Sequence, residues 1–286
     1  MLEDSPIELR WFRPMSSFRP WRIDKRTHRK VLCIDHEVAF TGGVGIADEW
    51  TGNAENPGEW RETHFSLEGP AVAGLYAAFL DNWNEAGDWE IEHPKAQFRS
   101  WDDGLAVQVV KSNSTVDWTK AASLLRALVC VAQEQILIAS PYFVPDATLV
   151  GLLRDAAQRG VDVQIMLPGA HSDSQLSQLA GYPSVECLLD AGVKIFRYNR
   201  TLPHLKVMII DRAVVSSGSA NFNHRSLGKD EECNVNILSR ELAKTLAGHF
   251  DADLKHAEAI DPQRWAARPA SLKLRENLAR LVREQL

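Results

Sequence analysis

The chain has no run of about 18 uninterrupted apolar residues, so no segment reads as a membrane-spanning helix. Its opening, MLEDSPIELRW, lacks the basic-then-apolar pattern of a secretory signal. Positive charge is not in excess. Lys and Arg number 32 against 38 Asp and Glu, a net charge of −6, which argues against a protein held to nucleic acid by bulk charge. Cysteine is scarce and scattered: Cys33, Cys130, Cys187 and Cys233 form no C-x-x-C pair. That argues against a zinc site and for a reducing compartment. Buried free thiols are the expectation for all four. Apolar content is ordinary, at 45% of 286 residues, and sufficient for one large domain or two packed halves.

What the chain does have is a repeated sentence. THRKVLCIDHEVAFTGG begins at Thr27 and PHLKVMIIDRAVVSSGS at Pro203. His28 and His204, Lys30 and Lys206, Asp35 and Asp211, and Gly42 and Gly218 all stand 176 positions apart. One offset shared without a gap indicates duplicated units. Two copies at so long a period suggest two similar halves facing one another.

The second copy shows the fuller organisation. A helix is expected over 120–135, with Leu124, Leu125, Leu128 and Val131 on its apolar face. A buried strand should start at Ile136. Asp146 should cap a helix that buries Leu149, Leu152, Leu153 and Ala156 and ends at Gly160. Strands follow from Val161 and Val193, with a helix between them over 175–190 that breaks near Tyr182-Pro183. LKVMIID and AVVSSGS form two more strands around a turn at Asp211-Arg212. Strands alternating with helices imply α/β layers. In the first copy, IELRWFRP from Ile7 matches VKIFRYNR from Val193, and a helix follows from Gly69 as one follows from Ser239. Nothing in the first copy matches the two strands and two helices that precede Val193, so that copy reads as truncated. The boundary is placed in SWDDGL, giving a first half over 1–103 and a second over 104–286.

His-x-Lys on a strand puts both side chains on one face. Histidine can attack phosphorus or carry a proton near neutral pH. Lysine supplies positive charge for phosphate oxygens. Two such units would surround one phosphate. One histidine would form a phosphohistidine while the other protonates the leaving oxygen and then activates the incoming hydroxyl. Lys30 and Lys206 would stabilise the phosphorane-like transition state. Ser219 and Asn221, in the turn after the second motif, would add small donors near the anion. The scheme needs no metal or other cofactor. Asp35 and Asp211 end apolar strands where turns often take Asp, so they read as structural first and as catalytic in the alternative. Gly43-Val44-Gly45 lacks the third glycine of a dinucleotide loop, and that reading is set aside.

The paired HRKVLCID…TGG and HLKVMIID…GSANF resemble the HKD motifs of the phospholipase D superfamily. EWRETHFSLEGPAV, SPYFVPD and GSANFNHRSLGKDEECNVNI are similar to bacterial cardiolipin synthases. The resemblance covers most of the chain. It implies two α/β/α halves with approximate two-fold symmetry, the first incomplete at its N-terminus. It also implies one site between them, carried by His28, Lys30, His204, Lys206, Ser219 and Asn221. The family adds an acidic residue after each motif, best matched by Glu62 and Glu232. Glu232 is expected to hold His204 protonated and Glu62 to serve His28. The resemblance, with basic Arg26, Arg29 and Lys30 beside His28, favours His28 as the nucleophile and His204 as general acid and then base. The first motif departs from the pattern by carrying Gly43 and Gly45 where the second has Ser219 and Asn221.

The resemblance implies an anionic phospholipid substrate and a peripheral place on the cytoplasmic side of the membrane. Residues 10–30 hold eight Arg or Lys against one Asp, interleaved with Trp11, Phe12, Phe18 and Trp21. Such a segment suits lipid headgroups or, equally, a loop with core aromatics. SLKLRENLARLVREQL reads as a packing helix with Leu274, Leu278 and Leu281 on one face, surface attachment being the alternative. Three readings stand: a phosphatidyltransferase of cardiolipin synthase type, a phospholipase D-type hydrolase or nuclease, and an inactive phospholipid-binding homologue.

Overall fold

A computed structural model of the chain describes residues 5–14, 25–87, 101–112 and 120–286. The elements in chain order are β1 Val31–Ile34, β2 Val38–Gly42, β3 His64–Glu68, α1 Ala71–Ala86, β4 Ala106–Lys111, α2 Lys120–Val131, β5 Gln135–Ala139, β6 Phe143–Val144 and α3 Ala147–Gln158. They continue as β7 Asp162–Pro168, α4 Gln175–Asp190, β8 Lys194–Tyr198, β9 Val207–Ile210, β10 Val214–Gly218, β11 Phe222–Asn223 and α5 His224–Gly228. The last are β12 Cys233–Leu238, α6 Arg240–Leu254, β13 Ala257–Ala259, α7 Pro262–Ala266 and α8 Ala270–Arg280. Among them no helix is long and apolar enough to cross a membrane.

The larger sheet runs β13-β8-β7-β5-β9-β10-β12-β4. Its β5, β7 and β8 are parallel neighbours, and antiparallel strands complete it on both sides. The β-branched runs of β5, β7 and β9 are covered on both faces, as parallel and central strands require. One face packs Ile136, Ile138, Ile165 and Met208 against Leu125, Leu149, Leu153 and Leu188 of the helices. The other packs Leu137, Met166, Val207 and Ile209 against Leu246 and Phe250 of α6.

The duplication is visible in register. β1 and β2 pair Val31 with Thr41 and Val38 with Ile34, as β9 and β10 pair Val207 with Ser217 and Val214 with Ile210. β3 lies on β2 as β12 lies on β10. The two meanders share a core in which Ala39, Leu67, Val72 and Leu75 meet Cys233, Val235 and Ile237 from one face of β12. The strand alternation therefore serves two units at once.

Four expectations fail, each for a local reason. Residues 7–14 form no strand, although β8 has that place in the second copy. β8 is sandwiched between β7 and β13, and no described strand of the first copy stands in the place of β7 to pair with residues 7–14. α4 runs unbroken through Pro183, because a proline removes one donor and tertiary packing of Val185, Leu188 and Leu189 carries the helix across it. Val131 is exposed, and α2 buries Ala121, Ala122, Leu125 and Val129 instead. All four cysteines are free, but only Cys233 is fully buried, and Cys130 and Cys187 are exposed.

Three arginines of the basic run have structural partners. Arg10 donates to the Trp83 carbonyl and lies 4.0 Å over its ring. Arg13 pairs with Glu85 and Glu231. Arg29 donates to the carbonyls of Ala78 and Ser112. These three guanidiniums tie the N-terminal segment to α1, to Ser112 after β4 and to Glu231 before β12, while Lys25, Arg26 and Trp11 are exposed. Phe18, Arg19, Trp21 and Arg22 lie outside the described residues.

Candidate active site

Each His-x-Lys motif leads into a strand that begins just after its lysine, β1 for Lys30 and β9 for Lys206. Two reciprocal bridges bring the motifs together. Thr27 pairs in parallel with Glu231, and Arg61 pairs in parallel with Pro203. The His28 amide donates to the Glu231 carbonyl at 2.9 Å, and the His204 amide to the Arg61 carbonyl at 2.8 Å. Each motif therefore runs beside the acidic segment of the opposite copy.

That arrangement exchanges the carboxylates. His28 Nδ1 lies 3.1 Å from both oxygens of Glu232. His204 Nδ1 lies 2.6 Å from Glu62 Oε2. The expected pairing of Glu232 with His204 and of Glu62 with His28 is thus reversed. In both cases a carboxylate on Nδ1 fixes the tautomer and leaves Nε2 without a carboxylate partner.

Glu232 is fully buried and well supported. The hydroxyls of Ser219 and Ser226 donate to its two oxygens, and its amide donates to Ser112 Oγ at 2.8 Å. Burial pushes its carboxyl upward, but the His28 charge and the bonds from His28, Ser219 and Ser226 outweigh that and hold it below the ordinary range. Ser219 is therefore a support for the carboxylate rather than a free phosphate donor. Asn221 is buried at the same turn, its amide donating to Ser226 Oγ at 2.8 Å. Its Oδ1 has no partner among the described residues.

Glu62 is held in another way, and Gly43 explains the departure in the first motif. A methyl on Gly43 would overlap the Glu62 carboxylate. The volume that the Ser219 side chain fills in the second copy is taken here by the carboxylate itself. Gly45, opposite Asn221 in the repeat, similarly leaves space for the Trp50 ring, 3.0 Å from where its Cβ would stand. Gly43→Ala is expected to displace Glu62 from His204 and lower turnover at least tenfold, roughly the effect of losing one oriented charge-assisted hydrogen bond. Steady-state kinetics alongside an unchanged circular dichroism spectrum would check this.

The lysines complete the site. Lys206 is 1% exposed, donates to the His204 carbonyl at 2.7 Å, and stands 2.9 Å from His204 Nδ1. Burial lowers its pKa to about 8, against the opposing pull of Glu62. Lys30 donates to the His28 carbonyl at 3.1 Å, and burial lowers its pKa also. Each lysine interacts electrostatically with both Glu62 and Glu232, so the two copies build one charge system. His204 is pushed toward its neutral form, first by burial and then by Lys206, with Glu62 opposing. The charge argument for His28 does not hold in the fold. Arg29 turns away to the carbonyls of Ala78 and Ser112, and the carboxylate of Glu232 faces the ring instead.

Asp35 and Asp211 do not reach this site. Both occupy left-handed turn positions, with φ of 51° and 50°, followed by His36 and Arg212 at 60° and 50°. These are the backbone values of a type I′ hairpin turn, which Asp tolerates. Each turn lies at the end of its strand away from the lysine. The Asp211 carboxylate accepts from the amides of Gln133, Glu134 and Gln135 at 2.9, 2.8 and 2.9 Å, so its work is to anchor the α2–β5 loop.

The motif reading missed four residues. Ser226 bridges Glu232 and the Asn221 amide. Trp50, Trp60 and Tyr142 surround the His204 ring at centroid distances of 5.5, 5.2 and 6.4 Å. Trp60, Tyr142 and Ser226 lie inside the stretches that carried the resemblance, while nothing in the sequence around Trp50 marks it.

The chain is similar to known proteins along nearly all of its length. Residues 125–254 match the model of the family described as cardiolipin synthase, PLD-like domain. A cardiolipin synthase of Geobacillus sp. (strain WCH70) is 34% identical over 285 residues, covering 98% of this chain and 57% of that protein. A cardiolipin synthase of Staphylococcus aureus (strain Mu50 / ATCC 700699) is 33% identical over 264 residues, covering 91% of this chain and 53% of that protein. The chain thus spans little more than half the length of these relatives. The crystal structure of phosphatidylserine synthase from Haemophilus influenzae Rd KW20 shares the fold, with a TM-score of 0.67 at 13% identity over 91% of this chain and 70% of that one. Residues 125–254 therefore match the cardiolipin synthase, PLD-like domain family, and the chain as a whole is similar to cardiolipin synthases along nearly all of its length.

Proposed function

We propose that the protein is a phosphatidyltransferase that moves a phosphatidyl group from an anionic phospholipid to an alcohol through a phosphohistidine. The observation that carries this is the exchanged pair of carboxylate–histidine–lysine sets, His28 with Glu232 and Lys30, and His204 with Glu62 and Lys206. In this reading the halves 1–103 and 104–286 are related by approximate two-fold symmetry about the phosphate. His28 Nε2 attacks phosphorus. His204 protonates the departing headgroup oxygen and then takes the proton of the incoming hydroxyl. An anionic phosphate beside Lys30 and Lys206 cancels their push on His204 and lets it hold the proton it must donate. The two lysines and Asn221 bind the phosphate oxygens in the transition state.

The test is lipid product analysis. With phosphatidylglycerol as donor, a diphosphatidyl lipid with release of glycerol is the expected product. Phosphatidic acid alone would make the protein a hydrolase with the same site. The absence of any product, with the native chain folded, would overturn the enzymatic reading.

A further inference from the structure

Helix α8 is packed the wrong way round for a helix of a water-soluble surface. Its inner face buries Glu276, 3% exposed, and Ala279, 5% exposed. Its outer face presents Leu274, Leu278 and Leu281, at 61%, 56% and 80% exposure. The expectation of leucines packed inward is therefore overturned. The cause is a charge network beneath the helix. Arg268 makes a two-pronged bond to Glu276, at 2.9 and 3.0 Å, and reaches Glu186 of α4 at 2.9 Å. Lys273 adds a contact to Glu186 at 3.3 Å. Burying those charges holds α8 in the one rotation that turns its leucines outward.

The placement of the leucines is as informative as their exposure. Lys273 near the start of α8 meets Glu186 near the end of α4, while Ala279 packs on Ala180 and Val144. The two helices are thus antiparallel, and α8 ends where α4 begins. Beyond its end, the Leu286 carbonyl accepts from the Arg225 amide of α5, which follows directly on Asn221-Phe222-Asn223. Asp173, just before α4, takes the hydroxyl of Tyr142, whose ring faces His204. Leu176 in the first turn of α4, 46% exposed, and Val282, 43% exposed, extend the apolar surface toward this rim. Arg275 and Arg280 are exposed on the same helix, and Arg280 and Arg283 act electrostatically on His224 with Asp146 and Glu284 opposing them.

We propose that this leucine face is a docking surface for the interface of an anionic phospholipid bilayer, which seats the rim of the active site on the membrane. Leucines that face outward on a helix bearing arginines match an acyl boundary beneath acidic headgroups. In a chain of net charge −6, local basic charge on an apolar face is complementary to such a surface and not to the rest of this molecule. The inference deepens the lipid-substrate reading above, but its test does not depend on turnover.

The experiment is flotation of the full chain with vesicles of phosphatidylcholine containing about one-third phosphatidylglycerol, beside vesicles of phosphatidylcholine alone. The native chain should float with the anionic vesicles. Leu278→Glu/Leu281→Glu should lose more than about tenfold in partition, the effect of removing two inserted side chains. Arg275→Gln/Arg280→Gln should weaken binding to the anionic vesicles alone. Leu278→Ser/Leu281→Ser, a milder pair, should fall between, with an unchanged melting curve. Activity on a short-chain monomeric phosphodiester should be unaffected by the leucine changes. Failure of that activity in the native chain would sink the catalytic reading while leaving docking to stand on flotation. Unchanged flotation of the leucine variants would overturn docking, as would loss of self-association in their place, which would mean that a second copy covers the face.

Discussion

Replacing His204 by Asn is expected to reduce phosphatidyl transfer by about two to four orders of magnitude, the range for loss of a positioned acid–base group. The same change should trap the intermediate. With a donor whose leaving group departs without protonation, His28 can still attack, but nothing activates the incoming alcohol. An acid-labile phosphoryl adduct should then accumulate and map to His28. The structural basis is the grip of Glu232 on His28 Nδ1 through both of its oxygens, which directs Nε2 outward and stabilises the positive ring formed on phosphorylation. The His28 side chain is also the more open of the two, at 30% exposure against 7% for His204. His28→Asn should abolish the adduct. An adduct on His204 in that variant, with none on His28 in the other, would exchange the two roles.

Lys206→Met should separate catalysis from stability. Turnover is expected to fall by about two to three orders of magnitude as one fixed charge leaves the transition state. The fold should not suffer, and its melting temperature should rise. Burial lowers the Lys206 pKa from 10.5 to about 8, so keeping its charge inside the folded protein costs roughly 3 kcal/mol at neutral pH. The sign follows from proton counting. Between about pH 8 and 10.5 the unfolded chain holds this proton and the folded chain does not, so the native protein gains stability as pH rises through that window. Methionine removes the cost at every pH. In the native protein kcat/KM should fall above about pH 8 as the lysine loses its charge, whereas the bound phosphate should move the same limb of kcat to higher pH. A melting temperature that drops in Lys206→Met would show that the Lys206–Glu62 contact, at 3.7 Å, outweighs the burial cost.

The duplication was legible in the sequence because it is local information repeated. The 176-residue offset of His28 and His204 appears again, without a slip, in the strand registers of the two meanders. The turn role of Asp35 and Asp211, the Asp146 cap on α3, and the order of strands and helices also follow from short-range chemistry. Tertiary structure decided what depends on how distant pieces face each other. His204 finds its carboxylate 142 positions away and His28 finds its own 204 positions away. In-line spacing pointed instead to the carboxylate of the same copy. Only the crossed bridges of Thr27 with Glu231 and Arg61 with Pro203 reveal the exchange. The departure at Gly43 has its reason in the Glu62 carboxylate, which stands in the space that a side chain would fill. Periodicity marked the leucine stripe of α8 but not the side it faces, because rotation about the helix axis was set by Arg268 and Glu186, charges that lie outside the helix.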